Sequence, residues 1–177
     1  MNGQNQDSIA IDTNVFEHLL YSEMNVDGHI TKLLSQLIES NIRLLVDDKG
    51  RIKGEYYERF CSRSQKKSLG EGKAERILLK HWFSVENQKI VDIKPQDALM
   101  RAIRSIIRPE AQKRVTDGFF VYVAFKIGKV LVTNDHNDIV NRRAALKQKM
   151  KRFCQEGADI MSSQEAYNNL KVCQQEY

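Results

Sequence analysis

Two short apolar runs that each lead to an acid constrain this chain most. Ile9, Ala10 and Ile11 run into Asp12, Thr13 and Asn14; Val130, Leu131 and Val132 run into Thr133, Asn134 and Asp135. A brief apolar run closed at once by small polar residues reads as a strand buried on both faces, as in a parallel sheet. Behind Asp12, the residues Val15, Phe16, Leu19 and Leu20 recur at helical spacing, so the first run is a strand turning tightly into a helix. An acid at that junction stands at the carboxyl end of a strand, where open α/β sheets build their sites. Asp, Thr and Asn also favour helix caps, and capping explains Asp12 alone as well as a site does. The same design repeated at Asp135 is harder to explain by capping.

The chain of 177 residues suits a single domain, residues 1–177, with 41% hydrophobic and 29% charged residues. Two prolines and nine glycines argue against a long linker, and no repeat is visible. The 28 basic residues against 23 acidic ones give a net charge of +5, a mild excess that suits a polyanionic partner. Cys61, Cys154 and Cys173 are an odd number with no CxxC spacing, which points to a reducing compartment and away from structural zinc. Residues 1–8 are polar with no apolar signal core, and the longest apolar run, residues 119–125, is too short to span a bilayer. The expected location is the cytoplasm, with no membrane contact.

Along the chain, helices are expected over residues 14–20 and 28–40, the second with Ile30, Leu33, Leu34, Leu37 and Ile38 as its apolar face. Residues 42–46 read as a strand. Asp47 and Asp48 read as solvated turn residues, and residues 51–53 as a short extended piece. A helix then opens at Gly54 with Glu55 in its first turn, where an acid also suits the helix dipole. Residues 61–72 are basic and loop-like. A short helix follows, burying Ile77, Leu78, Trp82 and Phe83. Residues 89–93 form a third strand closed by Pro95. The next helix sets Leu99, Ile103, Ile106 and Ile107 against Arg101, Arg104 and Arg108, and Pro109 stops it. Propensity would make residues 119–125 a strand. They are read here as a buried helix, because Gly128 ends it and a strand at 129–133 needs a crossover before it. A basic helix at 137–152, a last strand at 157–161 and a final helix capped by Ser162 or Ser163 complete the chain, with Glu165 in the final helix's first turn.

Four acids stand at strand ends or helix starts: Asp12, Glu55, Asp117 and Asp135. With parallel strands they can converge on one edge of the sheet. Carboxylates without His or Cys are hard-oxygen chemistry suited to Mg2+ or Mn2+. Their mutual repulsion calls for a cation. The residues Ile11-Asp12-Thr13-Asn14-Val15, Glu55 at a helix start, Thr116-Asp117-Gly118 and Val132-Thr133-Asn134-Asp135 together resemble the PIN domain family of metal-dependent nucleases. The segment from Asp48 to Tyr56 looks like one branch of that family, and the likeness runs from Ile9 to about Leu170.

That resemblance implies a three-layer α/β/α fold around a mainly parallel sheet of about five strands. It implies that Asp12, Glu55, Asp117 and Asp135 are catalytic metal ligands. Thr13, Asn14, Thr133 and Asn134 would orient those carboxylates by hydrogen bonds. One or two Mg2+ or Mn2+ ions would activate water against a phosphodiester, leaving a 5′-phosphate and a 3′-hydroxyl. The implied activity is an endoribonuclease acting on single-stranded or loop RNA, with RNA favoured over DNA. Arg101, Arg104, Lys113, Arg114, Arg142 and Arg143 would track the backbone. Asp138 is read as a surface residue rather than a further acid of the site. A toxin or phage-defence role would bring an inhibitor protein or larger complex, and a homo-oligomer is compatible with it. The competing reading is a catalytically silent PIN-like module that binds RNA or protein. An aspartyl-phosphate phosphatase ranks last, because Asn14 stands where that chemistry needs a second acid.

Overall fold

A computed structural model describes residues 7–19, 26–61, 80–94, 97–107, 117–127, 129–154 and 157–175. Five strands form one sheet: β1 (Ser8–Ile11), β2 (Arg43–Asp47), β3 (Gln88–Val91), β4 (Val130–Val132) and β5 (Asp159–Met161). Their order is β3-β2-β1-β4-β5, and every pairing is parallel. From β1 the chain builds outward through β2 to β3, then returns to build β4 and β5 on the other side. The strand order therefore reverses between β1 and β4, where a crevice opens at the carboxyl ends. All four residues of β1 are buried, as a central strand covered on both faces requires.

Crossovers between parallel strands are right-handed as a rule, so helices leading to the two sides of β1 fall on opposite faces of the sheet. Helices α1 (Thr13–Leu19) and α2 (His29–Glu39) follow β1. Helix α3 (Arg51–Tyr56) follows β2 and packs against it. On the return come α4 (Ala98–Arg104) and α5 (Asp117–Ile127), and α6 (Arg143–Met150) joins β4 to β5. The last helix, α7 (Ser163–Gln175), lies against α2, while α4 packs on both α5 and α6. The result is the expected three-layer α/β/α arrangement.

Residues 119–125 are helical and wholly buried in α5, which lies against β1, β2 and β4. Topology outweighs the strand propensity of its aromatic and branched residues. A parallel connection must run back along the sheet, so α5 begins at the carboxyl edge. The capping box at the last helix is present: Glu165 N–H donates to Ser162 Oγ at 3.2 Å, and Ser162 N–H donates to Glu165 Oε2 at 2.9 Å. Trp82 is fully buried in the core.

Three expectations are corrected. Residues 51–53 are not extended: α3 starts at Arg51, which puts Glu55 in its second turn. Asp47 is not solvated, since it is buried and accepts from Arg51 N at 3.0 Å and Ile52 N at 2.7 Å. This carboxylate satisfies the first free N–H groups of α3, and Gly50, at φ 69°, turns strand directly into helix. The basic helix begins late, at Arg143 after a 3-10 turn at Val140–Arg142, because the preceding residues wrap Asp135. Leu20, Ile77, Leu78, Pro95, Arg108, Pro109, Gly128 and the loop residues 62–72 lie outside the described residues. No helix among the described residues is long and apolar enough to cross a membrane.

At the amino-terminal edge of the sheet one carboxylate gathers three cations. Asp7 takes Arg43 Nη2 at 3.0 Å, Lys89 Nζ at 3.1 Å and Lys129 Nζ at 3.5 Å, so it ties the starts of β1, β2, β3 and β4. The hydrogen bond from Lys89, helped by Ser8 and Arg43, holds its carboxyl far below the ordinary value of 3.8. A depressed acid stabilises the fold above its unfolded pKa, and that contribution fades as pH falls toward the folded value. Asp7→Asn is expected to cost about 1 kcal/mol at pH 7 after allowing for solvent screening. Melting curves at pH 7 and pH 3 check this: the gap between variant and parent should shrink in acid and in high salt, and an equal gap at both pH values would contradict the ion-pair origin.

Candidate functional site

The crevice between β1 and β4 is where the two acid-bearing segments meet, and they interlock. Asp12 follows β1 and is 3% exposed. Its Oδ2 accepts from Thr133 Oγ1 at 2.7 Å and from Asn14 Nδ2 at 2.9 Å. Asn14 Oδ1 accepts the backbone N–H of Asn134 at 2.9 Å, and Asp135 N–H donates to Thr133 Oγ1 at 3.1 Å. Each half of the site therefore positions the other across the switch point. Capping is the lesser part of Asp12's bonding: Oδ1 reaches the Asn14 N–H only at 3.4 Å.

Burial raises the Asp12 carboxyl from 3.8 to about 6; the Glu55 and Asp135 charges add to the rise, while the Thr133 bond opposes it. Ionised Asp12 is thus costly in the folded chain without a counter-charge. Glu55 lies close by, its side chain 10% exposed. Thr13 Oγ1 donates to its Oε1 at 3.0 Å, and Arg59 Nε lies 3.3 Å from the same oxygen. Glu55 Oε2 is buried with no hydrogen-bond partner among the described residues. Asp117 is buried at the start of α5, and Asp135 is half-buried. Asp135 Oδ1 accepts the Asp138 N–H at 2.9 Å, and its carbonyl accepts from Ile139 and Val140. Asp138 is half-buried, not a plain surface residue, and its backbone fixes Asp135.

All four acids lie toward the carboxyl edge. Glu55 and Asp135 act electrostatically on Asp12, and Glu55 and Asp117 both act on Arg59. Among the described residues no three His, Cys, Asp or Glu side chains stand close enough to cage an ion as they are. The donor set nevertheless fits a hard divalent cation. It is all oxygen, one buried carboxylate oxygen has no partner among the described residues, and burial pushes a second carboxyl, Asp12, toward its neutral form, a shift that a cation would reverse. Asp12, Glu55, Asp117 and Asp135 are the residues that could hold Mg2+ or Mn2+.

The supporting residues divide differently from expectation. Thr133 and Asn14 hold Asp12, and Thr13 holds Glu55. Asn134 braces the loop instead, accepting from Ser163 N at 3.0 Å and meeting His18 Nδ1 at 3.0 Å. Sequence reasoning missed Tyr56, whose hydroxyl donates to the Ile11 carbonyl directly before Asp12. Tyr56 also packs on Phe16 of α1, Phe83, and Phe120 of α5, with ring centroids 5.3, 5.4 and 5.7 Å away. One aromatic cluster thereby sets α1, α3 and α5 relative to β1. Arg59 and Glu17 were missed too; the only signal was Arg59 standing four residues after Glu55, a spacing at which helical side chains meet.

The basic residues split into two groups. Arg101 and Arg104 are exposed on α4. Arg142 donates to the Ile106 carbonyl, and Arg143 Nη1 contacts both Glu165 oxygens at 2.8 Å, so these two arginines brace the fold. Lys113, Arg114 and Thr116 lie outside the described residues. No protein-family model matches the chain, and no curated protein matches it.

Thr133→Val keeps the shape of the side chain but removes the bond to buried Asp12. Leaving a buried carboxylate short of a donor is expected to cost about 1–3 kcal/mol. Denaturant unfolding in chelator measures the loss, and Thr133→Ser should recover most of it. A Val variant as stable as the parent would show that Asp12 does not depend on this bond.

Proposed function

We propose that this protein is a metal-dependent endoribonuclease of PIN-like design, acting on single-stranded or loop RNA in the cytoplasm. The observation that carries the reading is the interlocked pair of strand ends, Asp12 with Asn14 and Thr133 with Asp135, at the switch point of a parallel sheet. Asp12, Glu55, Asp117 and Asp135 would hold one or two Mg2+ or Mn2+ ions. A divalent ion there supplies charge that offsets a phosphodiester and lowers the pKa of bound water. The protein's part is orientation. Thr133 and Asn14 occupy Asp12 Oδ2 and leave Oδ1 with one long contact, so Oδ1 is the oxygen presented to a ligand. Thr13 fixes Glu55 Oε1 and leaves Oε2 to do the same. The Asp138 N–H steadies Asp135.

A net charge of +5 and the exposed Arg101 and Arg104 favour a polyanionic strand, whose backbone they would position without reading its sequence. A toxin or defence effector, restrained by an inhibitor or a larger complex, is the setting such an activity calls for. The silent-module reading draws support from Arg59, which already offsets Glu55 as a cation would.

Labelled RNA and single-stranded DNA incubated with and without Mn2+ separate the two. Cleavage of RNA that stops in chelator is expected. Asp12→Asn and Asp117→Asn should each lower it by at least about a hundredfold, more than a lost supporting contact would. Neither change should lower the metal-free melting temperature, and Asp12→Asn should raise it, because a buried charge is removed while the oxygen facing Thr133 is kept. Full activity in both variants would reduce the two acids to structural roles, and no metal-dependent cleavage by the parent would leave the silent module standing.

A further inference from the structure

Arg59 stands within the acid site, and metal binding by the acids gives it no role. It lies in the π-helical turn Tyr57–Cys61 that continues α3. Its Nη1 donates to Glu17 Oε1 on α1 at 3.3 Å, and its Nε lies 3.3 Å from Glu55 Oε1. The Asp117 charge acts on the same guanidinium. The arginine side chain is 23% exposed, against 18% for Glu17 and 10% for Glu55. Three acids of the crevice thus share one partly buried cation.

The hold on Glu55 is loose. Charge-assisted N–H···O bonds run to about 2.7–2.9 Å, and a guanidinium usually grips one carboxylate with two parallel bonds. Here the fork is split between two acids at longer range, and only the Glu17 contact is a hydrogen bond. Glu55 keeps Thr13 on Oε1 and has Oε2 buried with no partner among the described residues. It is neutralised without being saturated. Losing Arg59 would cost Glu55 charge compensation but no directed bond, and a divalent ion would restore that compensation.

We propose that Arg59 is the resident counter-cation of the site and competes with a divalent ion for Glu55, while Glu17 retains it when the ion binds. The inference rests on the metal-binding reading above. It makes Arg59 a positioning residue with two opposed effects: it stabilises the metal-free crevice and weakens metal binding.

Calorimetric titration of Mn2+ into the full chain tests it, together with melting curves in chelator. Arg59→Gln is expected to bind Mn2+ roughly threefold to tenfold more tightly than the parent, the worth of one partly screened ion pair. It should also melt earlier in chelator. Glu55→Gln should weaken Mn2+ binding in either background. Glu17→Gln separates competition from a mere through-space charge effect: it should weaken Mn2+ binding when Arg59 is present, by letting Arg59 settle on Glu55, and have little effect beside Arg59→Gln. Equal weakening in both backgrounds would overturn the inference. So would unchanged or weaker Mn2+ binding by Arg59→Gln while Glu55→Gln still loses affinity, a result that spares the metal site itself. Absence of Mn2+ binding by the parent would overturn the metal reading and this inference with it. Where Arg59→Gln does not fold, Arg59→Met carries the test: it keeps the apolar stem without the charge, and Mn2+ affinity equal to the parent's would again be contrary.

Discussion

The structure depends on keeping a carboxylate, Asp12, buried at the head of its central strand. Burial alone pushes that group toward its neutral form, and two more acids nearby push it further. The surrounding chain is arranged to hold it there. Thr133 and Asn14 bind one oxygen, the Asp12 N–H continues the sheet to Val132 at 2.9 Å, and Tyr56 anchors the residue before it. A protein with no use for this acid would be more stable with an apolar or amide side chain in its place. A buried carboxyl whose pKa is strongly perturbed by burial and by neighbouring acids is a candidate functional group.

The two ends of the sheet handle charge in opposite ways. At the amino edge, Asp7 is surrounded by Arg43, Lys89 and Lys129, an acid with more than enough counter-charge. At the carboxyl edge, Glu55 and Asp135 push the buried Asp12 carboxyl further toward its neutral form, while Glu55 and Asp117 act on Arg59. The first arrangement pins four strand starts and completes itself. The second is the arrangement on which the proposed divalent cation would act.

Much of this could be read from the residues. The strands at Ile9 and Val130 announced themselves by apolar runs closed with small polar residues, and the acids followed from their places at those ends. The helix of residues 119–125 was legible only through topology, since its aromatic and branched residues prefer strands. The start of α3 was misread because its capping group, Asp47, sits on the preceding strand four residues before the first helical one, so a local search for an adjacent cap passes over it. Arg59, Glu17 and Tyr56 were not legible for a different reason. Their roles arise from contacts between elements far apart in sequence, such as Arg59 with Glu17 and Tyr56 with Ile11, and no spacing within one segment encodes those. The bonds of Arg142 to the Ile106 carbonyl and of Arg143 to Glu165 were not legible either, because those partners lie far away in sequence.

The central claim is that the β1–β4 crevice binds a divalent cation through these acids. Anomalous diffraction from crystals of the protein grown with Mn2+ tests it directly. The account requires an anomalous peak coordinated by Asp12 and at least one of Glu55, Asp117 and Asp135, with Thr133 still bonded to Asp12. A well-ordered crevice with no such peak at saturating Mn2+, or a peak bound only by surface acids elsewhere, would contradict it.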